Sequence, residues 1–582
     1  MISILLKEVK EYKKASIVTP LFMILEVIME MCIPLLMASI IDDGVNKGDM
    51  LHIYKVGAIM IVCAAFALLT GLGGGRYAAK ASAGFAKNLR KKMFDHIQTF
   101  SFANIDKFST AGLVTRLTTD VTNVQHSYQM LLRMCFRSPI SLICAMTMAF
   151  YINKRIACVY LVAVIVLGIA LSFIITRATK YFQQAFPKYD DMNGAVQENV
   201  SAIRVVKAYV REEEETKKFK KTSENIYKIF LKAEKNIIYN APLMNLTVYS
   251  CILLISWLGA KMIVSNTLTT GELMSLLAYC MNILMSLMML SMIFVMLSMS
   301  IASAKRIAEV LTETTEIRGP QAPIYEVADG SVEFRHVNFA YNKDSTEPVL
   351  KDINLKIASG ETIGVMGGTG SAKTSLVNLI SRLYDVTEGE ILVGGRNVKE
   401  YDLESLRNQV SVVLQNNVLF SGTILENLRW GNEHATQEEC EAACRQACAD
   451  EFIQKFPDGY NTHIEQGGTN VSGGQKQRLC IARALLKKPK ILILDDSTSA
   501  VDTATDAKIR KAFAEEIPDT TKFIIAQRIS SVQHADRIIV MENGQIHGFG
   551  THEELLENNE IYREVYETQT RGGGDFDEKA GE

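Results

Sequence analysis

Six apolar runs, each about the length of a membrane-spanning helix, constrain the fold of this chain more than any other feature. A helix needs roughly 20 apolar residues to cross the ~30 Å hydrocarbon core of a bilayer. Hydrophobic residues make up 48% of the 582 residues and the mean hydropathy is +0.11, which is too apolar for an ordinary cytosolic enzyme. The sequence therefore predicts six transmembrane helices, at residues 17–41, 53–75, 131–152, 156–176, 241–264 and 272–300.

Charged residues beside these runs predict the orientation of the chain in a cell membrane. Four lysines precede the first run, whereas acidic residues dominate the connection between the first two runs. Because basic loops remain in the cytoplasm, we expect the N-terminus, the C-terminal half and the basic connections 76–130 and 177–240 to lie inside. Each long connection must reverse direction, which predicts two cytoplasmic elbows, near 103–112 and near 185–194 or a little further on.

The composition changes after Ser300, where the apolar runs end. Residues 312–331 contain glycine and proline, which predicts a linker. Short strand-like and helix-like segments alternate after it, as in an α/β domain. We predict a transmembrane domain, a linker, an α/β domain and a disordered tail, at residues 1–311, 312–331, 332–570 and 571–582. The net charge of −2 argues against a nucleic-acid partner, which requires a basic surface.

A glycine-rich loop near residue 370 is the first segment whose residues indicate ligand binding. It follows a predicted strand at Thr362–Met366 and precedes a predicted helix at Ser375–Arg382, which is the context of a phosphate-binding loop. Backbone N–H groups of such a loop cradle phosphates, its lysine contacts the outer phosphates, and the next hydroxyl binds Mg²⁺. The sequence predicts an ATP site formed by Gly367, Gly368, Thr369, Gly370, Ser371, Ala372, Lys373 and Thr374.

Ala372 departs from this motif, which has glycine before the lysine. A negative φ would make alanine tolerable there and could stabilise the start of the helix, whereas a positive φ would strain the backbone. Because the rest of the loop is intact, we favour the tolerated conformation.

The apolar strand 491–494 leads into two carboxylates, Asp495 and Asp496. Asp495 can hold Mg²⁺ together with Thr374. The position of Asp496 usually carries the glutamate that polarises the attacking water, and aspartate is one methylene shorter. A misplacement of ~1 Å can lower a rate on the order of a hundredfold. The sequence therefore predicts an ATP site that binds nucleotide and cleaves it slowly.

The segment Val471–Gln477 makes a family resemblance specific. It stands in order with the phosphate loop, the Asp495 strand and the six preceding spans, and its signature comprises Ser472, Gly473, Gly474 and Gln475. Nearly the whole chain resembles a half-transporter of the ATP-binding cassette (ABC) exporter family. The resemblance implies an all-α six-helix transmembrane domain with long cytoplasmic helix extensions, fused to an α/β P-loop ATP-binding cassette domain.

The resemblance also implies roles for further residues. Tyr341 would stack on adenine, Gln415 would sense Mg²⁺ and relay to the membrane domain, and residues 499–502 would face a second ATPase domain. Family members that hydrolyse ATP well place a histidine where this chain has Gln527, which cannot become cationic near neutral pH. With Asp496 and Gln527, the chain resembles the degenerate-site subunit of bacterial heterodimeric multidrug exporters.

The resulting functional hypothesis is an ATP-driven exporter of hydrophobic or amphipathic cargo, either small molecules or peptides. Its cofactors would be ATP and Mg²⁺, and its partner a second half-transporter chain whose hydrolytic site the intact signature completes. Two alternatives stay open. One is a homodimeric exporter with two slow sites, and the other is a membrane protein that binds nucleotide without turnover and thereby regulates a channel or partner.

Glu26 and Glu30 stand one helical turn apart in the first span, where carboxylates are costly. They could receive a cationic cargo. They could instead form an internal pair with Arg133 or Arg137, or stay protonated.

Methionines recur at helical spacing in the sixth span. Their flexible thioethers suit a surface that contacts varied ligands, which makes Met285 and Met292 candidates for cargo contact. Ordinary helix packing explains the same pattern.

Overall fold

The computed structural model describes residues 1–342, 347–496 and 501–571. The chain divides into two units, each with its own buried apolar clusters. The first contains Met1–Thr99 and Phe108–Glu313, and the second contains Phe100–Lys107 and Thr314–Glu582. The predicted tail beyond Arg571 lies outside the described residues.

The first unit is helical throughout its secondary structure. Short 3₁₀ or π segments join α1 to α2, follow α2 and join α5 to α6. Its helices are α1 (Ile2–Leu6), α2 (Lys13–Ser39), α3 (Met50–Ile97), α5 (Thr110–Thr115), α6 (Val121–Ile152), α7 (Lys154–Ser201), α8 (Ile203–Ala208), α9 (Glu212–Ile237), α10 (Asn240–Val264) and α11 (Thr270–Thr312). Between α3 and α5 the chain forms α4 (Phe102–Phe108), which belongs to the second unit except for its last residue.

Six helical stretches among the described residues are long and apolar enough to cross a membrane, which confirms the predicted number of spans. Each predicted apolar run overlaps one of them. The stretches are Ile2–Val45, Met50–Ile97, Thr110–Ile152, Lys154–Ala178, Glu212–Val264 and Thr270–Phe294.

Pro34 lies inside α2 and removes one backbone N–H donor from that helix. Two hydroxyls of α11 bind carbonyls of the same stretch. Ser275 Oγ donates to Pro34 O at 2.5 Å, and Tyr279 Oη donates to Met31 O at 2.6 Å. Because hydrocarbon offers a hydroxyl no water, each hydroxyl needs a protein acceptor, and the two hydrogen bonds join α2 to α11.

Two turns reverse the long helices. The first, at residues 98–109, contains α4 and agrees with the elbow predicted near 103–112. The second, at residues 202–211, contains α8. This position agrees with the later part of the prediction, near 185–194 or a little further on. The turn does not fall within 185–194, because α7 continues as a helix through that range and helical geometry ends at Ala202 (φ −99°, ψ 17°).

The second unit alternates strands and helices, which confirms the predicted α/β class beside the helical membrane domain. Its strands are β1 (Val332–Phe339), β2 (Leu350–Ile357), β3 (Thr362–Gly367), β4 (Glu388–Val393), β5 (Arg396–Asn397), β6 (Val410–Val413), β7 (Gly422–Thr423), β8 (His463–Ile464), β9 (Ile491–Asp495), β10 (Thr521–Ile525), β11 (Arg537–Glu542) and β12 (Gln545–Gly550). Its further helices are α12 (Lys373–Ile380), α13 (Leu403–Gln409), α14 (Ile424–Leu428), α15 (Gln437–Gln446), α16 (Asp450–Ile453), α17 (Gly473–Leu485), α18 (Thr503–Glu516), α19 (His552–Asn558) and α20 (Glu560–Arg571).

The strands form a four-stranded antiparallel sheet, β2-β1-β4-β5, a six-stranded sheet, β12-β11-β3-β10-β9-β6, and the pair β7-β8. In the six-stranded sheet only β12 is antiparallel to its neighbour. Every residue of β9 and β10 is buried, as expected of parallel strands that are covered on both faces.

Ala372 caps α12 in the left-handed region, with φ +71° and ψ 25°. The favoured negative φ is therefore wrong. An L-residue with a Cβ costs about 1–2 kcal/mol there. Two interactions offset this strain: the carbonyl of Ala372 accepts from Leu376 N at 3.0 Å, and the side chain packs against a buried apolar cluster.

Replacing Ala372 with glycine should stabilise the second unit by about 1 kcal/mol, because glycine adopts positive φ without the Cβ penalty. The measurement is the thermal unfolding midpoint of the full chain, followed by a probe in the second unit. Ala442→Gly, inside α15, is the matched control and should lower the midpoint. Equal losses for both variants would contradict the strain at Ala372.

Candidate active site

Parallel strands end at one edge of the six-stranded sheet, and the predicted site residues follow those ends. Strand β3 leads into Gly367, β6 into Gln415, β9 into Asp495 and β10 into Gln527. The register pairs Ile525 of β10 with Asp495 of β9. Ligands of α/β sheets bind outside such carboxyl ends, so the strand alignment alone brings these residues together.

A cleft of about 510 Å³ opens at this edge. Residues 367–374, Gln415, Asp495, Asp496 and Gln527 all line it, so the structure gathers most of the predicted site. Other lining residues were not predicted from the sequence: Val349, Met366, Ser375, Ile525, Val540, Ile561, Tyr562 and Val565.

Lys373 lies along its own loop, where Nζ donates to Gly367 O at 2.7 Å and to Gly368 O at 2.8 Å. Burial lowers the pKa of Lys373, although Asp495 and Asp496 oppose that shift. A Cβ at Gly368 or Gly370 would meet no atom within 4 Å, so this side of the loop is open. An open backbone loop with a lysine at its end fits the phosphates of ATP.

Thr374 and Asp495 form the pair expected of a magnesium site. Thr374 Oγ1 donates to Asp495 Oδ1 at 3.1 Å, and Asp495 is only 2% exposed. Burial raises the pKa of Asp495, while the hydrogen bond from Thr374 lowers it. These oxygen donors and the amide oxygen of Gln415 suit Mg²⁺, which prefers hard oxygen ligands.

Asp496 and Gln527 contact each other at the edge of the cleft. Gln527 Nε2 donates to Asp496 Oδ2 at 3.2 Å. Burial raises the pKa of Asp496, and Lys373 and the hydrogen bond from Gln527 oppose that shift. The backbone of Asp496 adopts a positive φ of 47°, which fixes the carboxylate at a sharp turn after β9.

Tyr341 does not line the cleft among the described residues. Its hydroxyl lies 2.8 Å from Oγ of Ser375, which does line it, and its ring meets that of Tyr384 edge-on at 5.0 Å. The predicted stacking on adenine therefore stays a prediction.

Helix α20 contributes a wall of the cleft that the sequence reasoning missed. Gln569 of this helix binds the backbone beside Gln527: Nε2 donates to Gln527 O and Oε1 accepts from Ile529 N, both at 2.9 Å. The amphipathic spacing of α20 was the available signal, through its lining residues Ile561, Tyr562 and Val565.

The signature residues lie apart from this cleft. None of residues 471–477 is among the described lining residues. Ser472 begins α17 with reciprocal hydrogen bonds to Gln475, and Ser472 and Gly473 are exposed. Of the predicted dimer-facing loop, Ser499 and Ala500 fall outside the described residues, while Asp502 caps α18.

Glu26 and Glu30 of α2 form an internal ion pair with Arg137 of α6, one of the two partners considered. Arg137 Nη1 donates to Glu26 at 3.0 Å, and Nη2 donates to both carboxylate oxygens of Glu30 at 2.8 and 2.9 Å. The Glu26 side chain is 12% exposed and that of Glu30 is 36% exposed. Glu30 is therefore the more accessible carboxylate of the pair.

Met285 and Met292 lie seven residues apart on α11, and both side chains are exposed in the single chain. Their contact with cargo stays a prediction.

Comparison with known proteins covers both units. The family model described as ABC transporter transmembrane region matches residues 16–288, and the one described as ABC transporter matches residues 350–499. The uncharacterized ABC transporter ATP-binding protein YfiB of Bacillus subtilis (strain 168) is 36% identical over 96% of this chain and 97% of its own length.

Two further proteins are similar over almost the whole chain. The putative multidrug export ATP-binding/permease protein YgaD of Bacillus subtilis (strain 168) is 32% identical over 96% of this chain and 98% of its own length. The structure of a bacterial Atm1-family ABC exporter with ATP bound shares the fold, with a TM-score of 0.84 at 22% identity over 97% of this chain and 100% of that chain. The chain therefore belongs to the ABC transporter family, as an exporter half-transporter whose six-span membrane domain is fused to an ABC-type ATPase domain.

Proposed function

We propose that this chain is the degenerate-site subunit of a heterodimeric exporter of hydrophobic or amphipathic compounds in the cell membrane. The hydrogen bond between Gln527 and Asp496 carries the proposal. It joins a neutral amide to a shortened carboxylate, at the two positions where the resemblance implies that efficient hydrolysis uses a histidine and a glutamate. The basic flank of the first span supports a cytoplasmic ATPase domain. The name of the relative YgaD, a putative multidrug exporter, supports the cargo class.

Nucleotide binding uses groups that these departures leave in place. Lys373 and the loop amides hold phosphates, and Thr374, Asp495 and Gln415 supply oxygen ligands for a divalent cation. Bound Mg²⁺ would neutralise charge on the phosphates. The chain's own site should therefore retain Mg-ATP through many turnovers of the partner site.

Hydrolysis depends on finer geometry than binding does. The attacking water must lie within hydrogen-bond reach of its base, and Asp496 is one methylene shorter than the usual glutamate. Gln527 donates a hydrogen bond but carries no positive charge to stabilise the transition state. Each departure weakens the same chemical step, so their effects combine in one site.

In contrast to Asp496 and Gln527, the signature residues do not depart from the family pattern. Its capping contacts are complete, and the exposed N-terminus of α17 presents backbone N–H groups with the positive end of a 13-residue helix. Because the described lining of the chain's own cleft contains none of these residues, the phosphate that they contact belongs to a second chain. We infer that this signature serves the hydrolytic site of the partner.

Coupling to transport would begin at the first elbow, part of which belongs to the second unit. Tyr384 Oη donates to Asp106 Oδ2 at 2.9 Å, and its ring meets Phe102 at 6.0 Å and Tyr341 at 5.0 Å. These contacts link the elbow to Tyr341, the residue predicted to stack on adenine. Occupancy of the nucleotide site can thereby bias the elbow position.

Two substitutions should separate the two ATP sites of the heterodimer. Gly474→Trp should nearly abolish the ATPase activity of the complex, because it blocks the competent site. Asp496→Glu should change total activity less than twofold, because Gln527 still limits the chain's own site and residues of one catalytic unit do not act additively. Steady-state ATP hydrolysis by the purified complex in nanodiscs measures both.

Lys373→Ala is the control for the chain's own site. It should remove the retained nucleotide and leave most of the turnover at the partner site. A large gain from Asp496→Glu together with a harmless Gly474→Trp would contradict the heterodimer, and would favour the homodimeric or regulatory alternative.

Gln569→Ala should speed the release of nucleotide from this chain's site by roughly fivefold, because two backbone hydrogen bonds beside Gln527 are lost and each contributes about 1 kcal/mol or less. A chase of a fluorescent ATP analogue measures the release rate. Thr568→Ala, on the same helix, removes only an exposed intrahelical hydrogen bond and serves as the control. Unchanged release in Gln569→Ala would show that α20 does not position Gln527.

The acidic pair gives a prediction about cargo charge. Glu30→Gln should weaken export of cationic compounds several-fold more than export of neutral ones, because Glu30 is the accessible carboxylate and Glu26 still neutralises Arg137. Vesicle transport of a matched cationic and neutral pair measures the selectivity. Glu26→Gln is the comparison and should mainly lower the yield of folded protein. Equal loss for both cargoes in Glu30→Gln would assign a structural role.

A further inference from the structure

A second cavity, of about 320 Å³, lies between α18 and the six-stranded sheet of the second unit. Its described lining shares no residue with the nucleotide cleft. The lining contains four basic side chains and no carboxylate: Thr362, Ala507, Arg510, Lys511, Phe513, Ala514, Lys522, Ile524, Ser531, His534 and Ala535.

Lys522 is the unusual residue of this cavity. It lies in β10, a buried parallel strand whose other positions from Phe523 to Ile525 are apolar. Lys522 is only 3% exposed, and it lines the cavity. Its Nζ does not belong to the fully buried polar atoms that lack a partner, so the ammonium opens into the cavity, where no described residue forms a hydrogen bond or ion pair with it. Fully buried lysines normally have a partner. The nearest acidic groups that favour its charge are Asp536 and Asp519, and neither lines the cavity.

Helix α18 lines one side of the cavity, and two of its lining residues are small. Ala507, Arg510, Lys511 and Ala514 follow one another at intervals of three and four residues, so they share one face of α18. Ala507 and Ala514 are exposed, so this face of α18 forms the open side of the cavity beside Lys522 and Ile524. The two cations flank the space that the alanines leave.

Neighbouring groups hold the Arg510 side chain in place. Nη1 donates to Ser530 O at 2.7 Å, and Nη2 lies 3.2 Å from Asp506 Oδ2. Asp506 in turn accepts from the Ser531 hydroxyl at 3.1 Å. The Arg510 side chain is therefore fixed in the wall of the cavity. Lys511 and His534 are exposed and lie at the mouth of the cavity.

We propose that this cavity binds a phosphate-type oxyanion, either inorganic phosphate or the phosphate group of a small monoester, with Lys522 as its central ligand. A phosphate group accepts hydrogen bonds from several donors at once, and it supplies a partner for the Lys522 ammonium that opens into the cavity. Lys511 and an imidazole N–H of His534 lie at the mouth, where both can donate to the phosphate. The cavity volume leaves room for a short substituent on the phosphate.

Equilibrium dialysis with radiolabelled inorganic phosphate tests the site in the full chain. Every protein also carries Lys373→Ala, so that the phosphate loop does not contribute. We expect one phosphate bound per chain, and an affinity at least tenfold lower after Lys522→Met. Lys508→Met, on another face of α18, is the matched control and should bind as the parent does.

A cavity-filling variant, Ala514→Leu, tests the same site without touching Lys522 and should also lose phosphate. Thermal unfolding verifies that each variant folds, and phosphate should raise the midpoint of the parent by roughly 2–4 °C but not that of Lys522→Met. Competition by glycerol phosphate distinguishes the two possible ligands. If glycerol phosphate binds more tightly than inorganic phosphate, the ligand is a phosphate monoester; if it binds more weakly, the ligand is inorganic phosphate. Phosphate binding that survives both Lys522→Met and Ala514→Leu, or that Lys508→Met removes equally, would overturn the proposal.

Discussion

The in-register parallel pairing of β3, β10, β9 and β6 is the constraint on which the nucleotide site depends. Each strand ends at the same edge of the sheet, so the phosphate loop, Gln415, Asp495 and Gln527 converge although more than 150 residues separate the first from the last. The strands are held by backbone hydrogen bonds and by burial on both faces, neither of which depends on the identity of the site residues. The edge can therefore tolerate substitutions such as Asp496 and Gln527 without loss of the fold.

Three departures from the family pattern, Ala372, Asp496 and Gln527, lie around one cleft. Ala372 and Asp496 both adopt positive φ, which for residues with a Cβ costs about 1–3 kcal/mol each. Such strain persists only where neighbouring contacts fix the backbone, as the sheet and α12 do here. Binding of phosphates by several amides and Lys373 averages over small displacements, whereas attack by one water does not. This difference underlies the proposal that the site binds ATP and hydrolyses it slowly.

Features encoded in short stretches could be predicted from the sequence. The six spans follow from local hydropathy, and the phosphate loop and signature follow from fixed spacings. The second elbow could be placed only near 185–194 or a little further on, because α7 continues through residues 185–194 and leaves helical geometry only at Ala202. The φ of Ala372 depends on the loop as a whole rather than on its neighbours in sequence. The choice of Arg137 over Arg133, and the wall that α20 adds to the cleft, arise from long-range packing that no local pattern records.

The position of the signature, outside the chain's own cleft, supports an ATP site shared by two chains. A helix N-terminus aimed at phosphate acts only within hydrogen-bond distance, and the described lining of the chain's own cleft contains no residue of 471–477. Under the proposed function, two chains meet before either ATP has all of its ligands, and hydrolysis is then a property of the pair. A substitution in one chain then divides its effects: changes near Asp496 act on that chain's own nucleotide, and changes at Gly474 act on the partner's. In the proposed heterodimer, slow hydrolysis at one site is therefore compatible with an ATP-driven cycle, because the partner's site supplies the turnover.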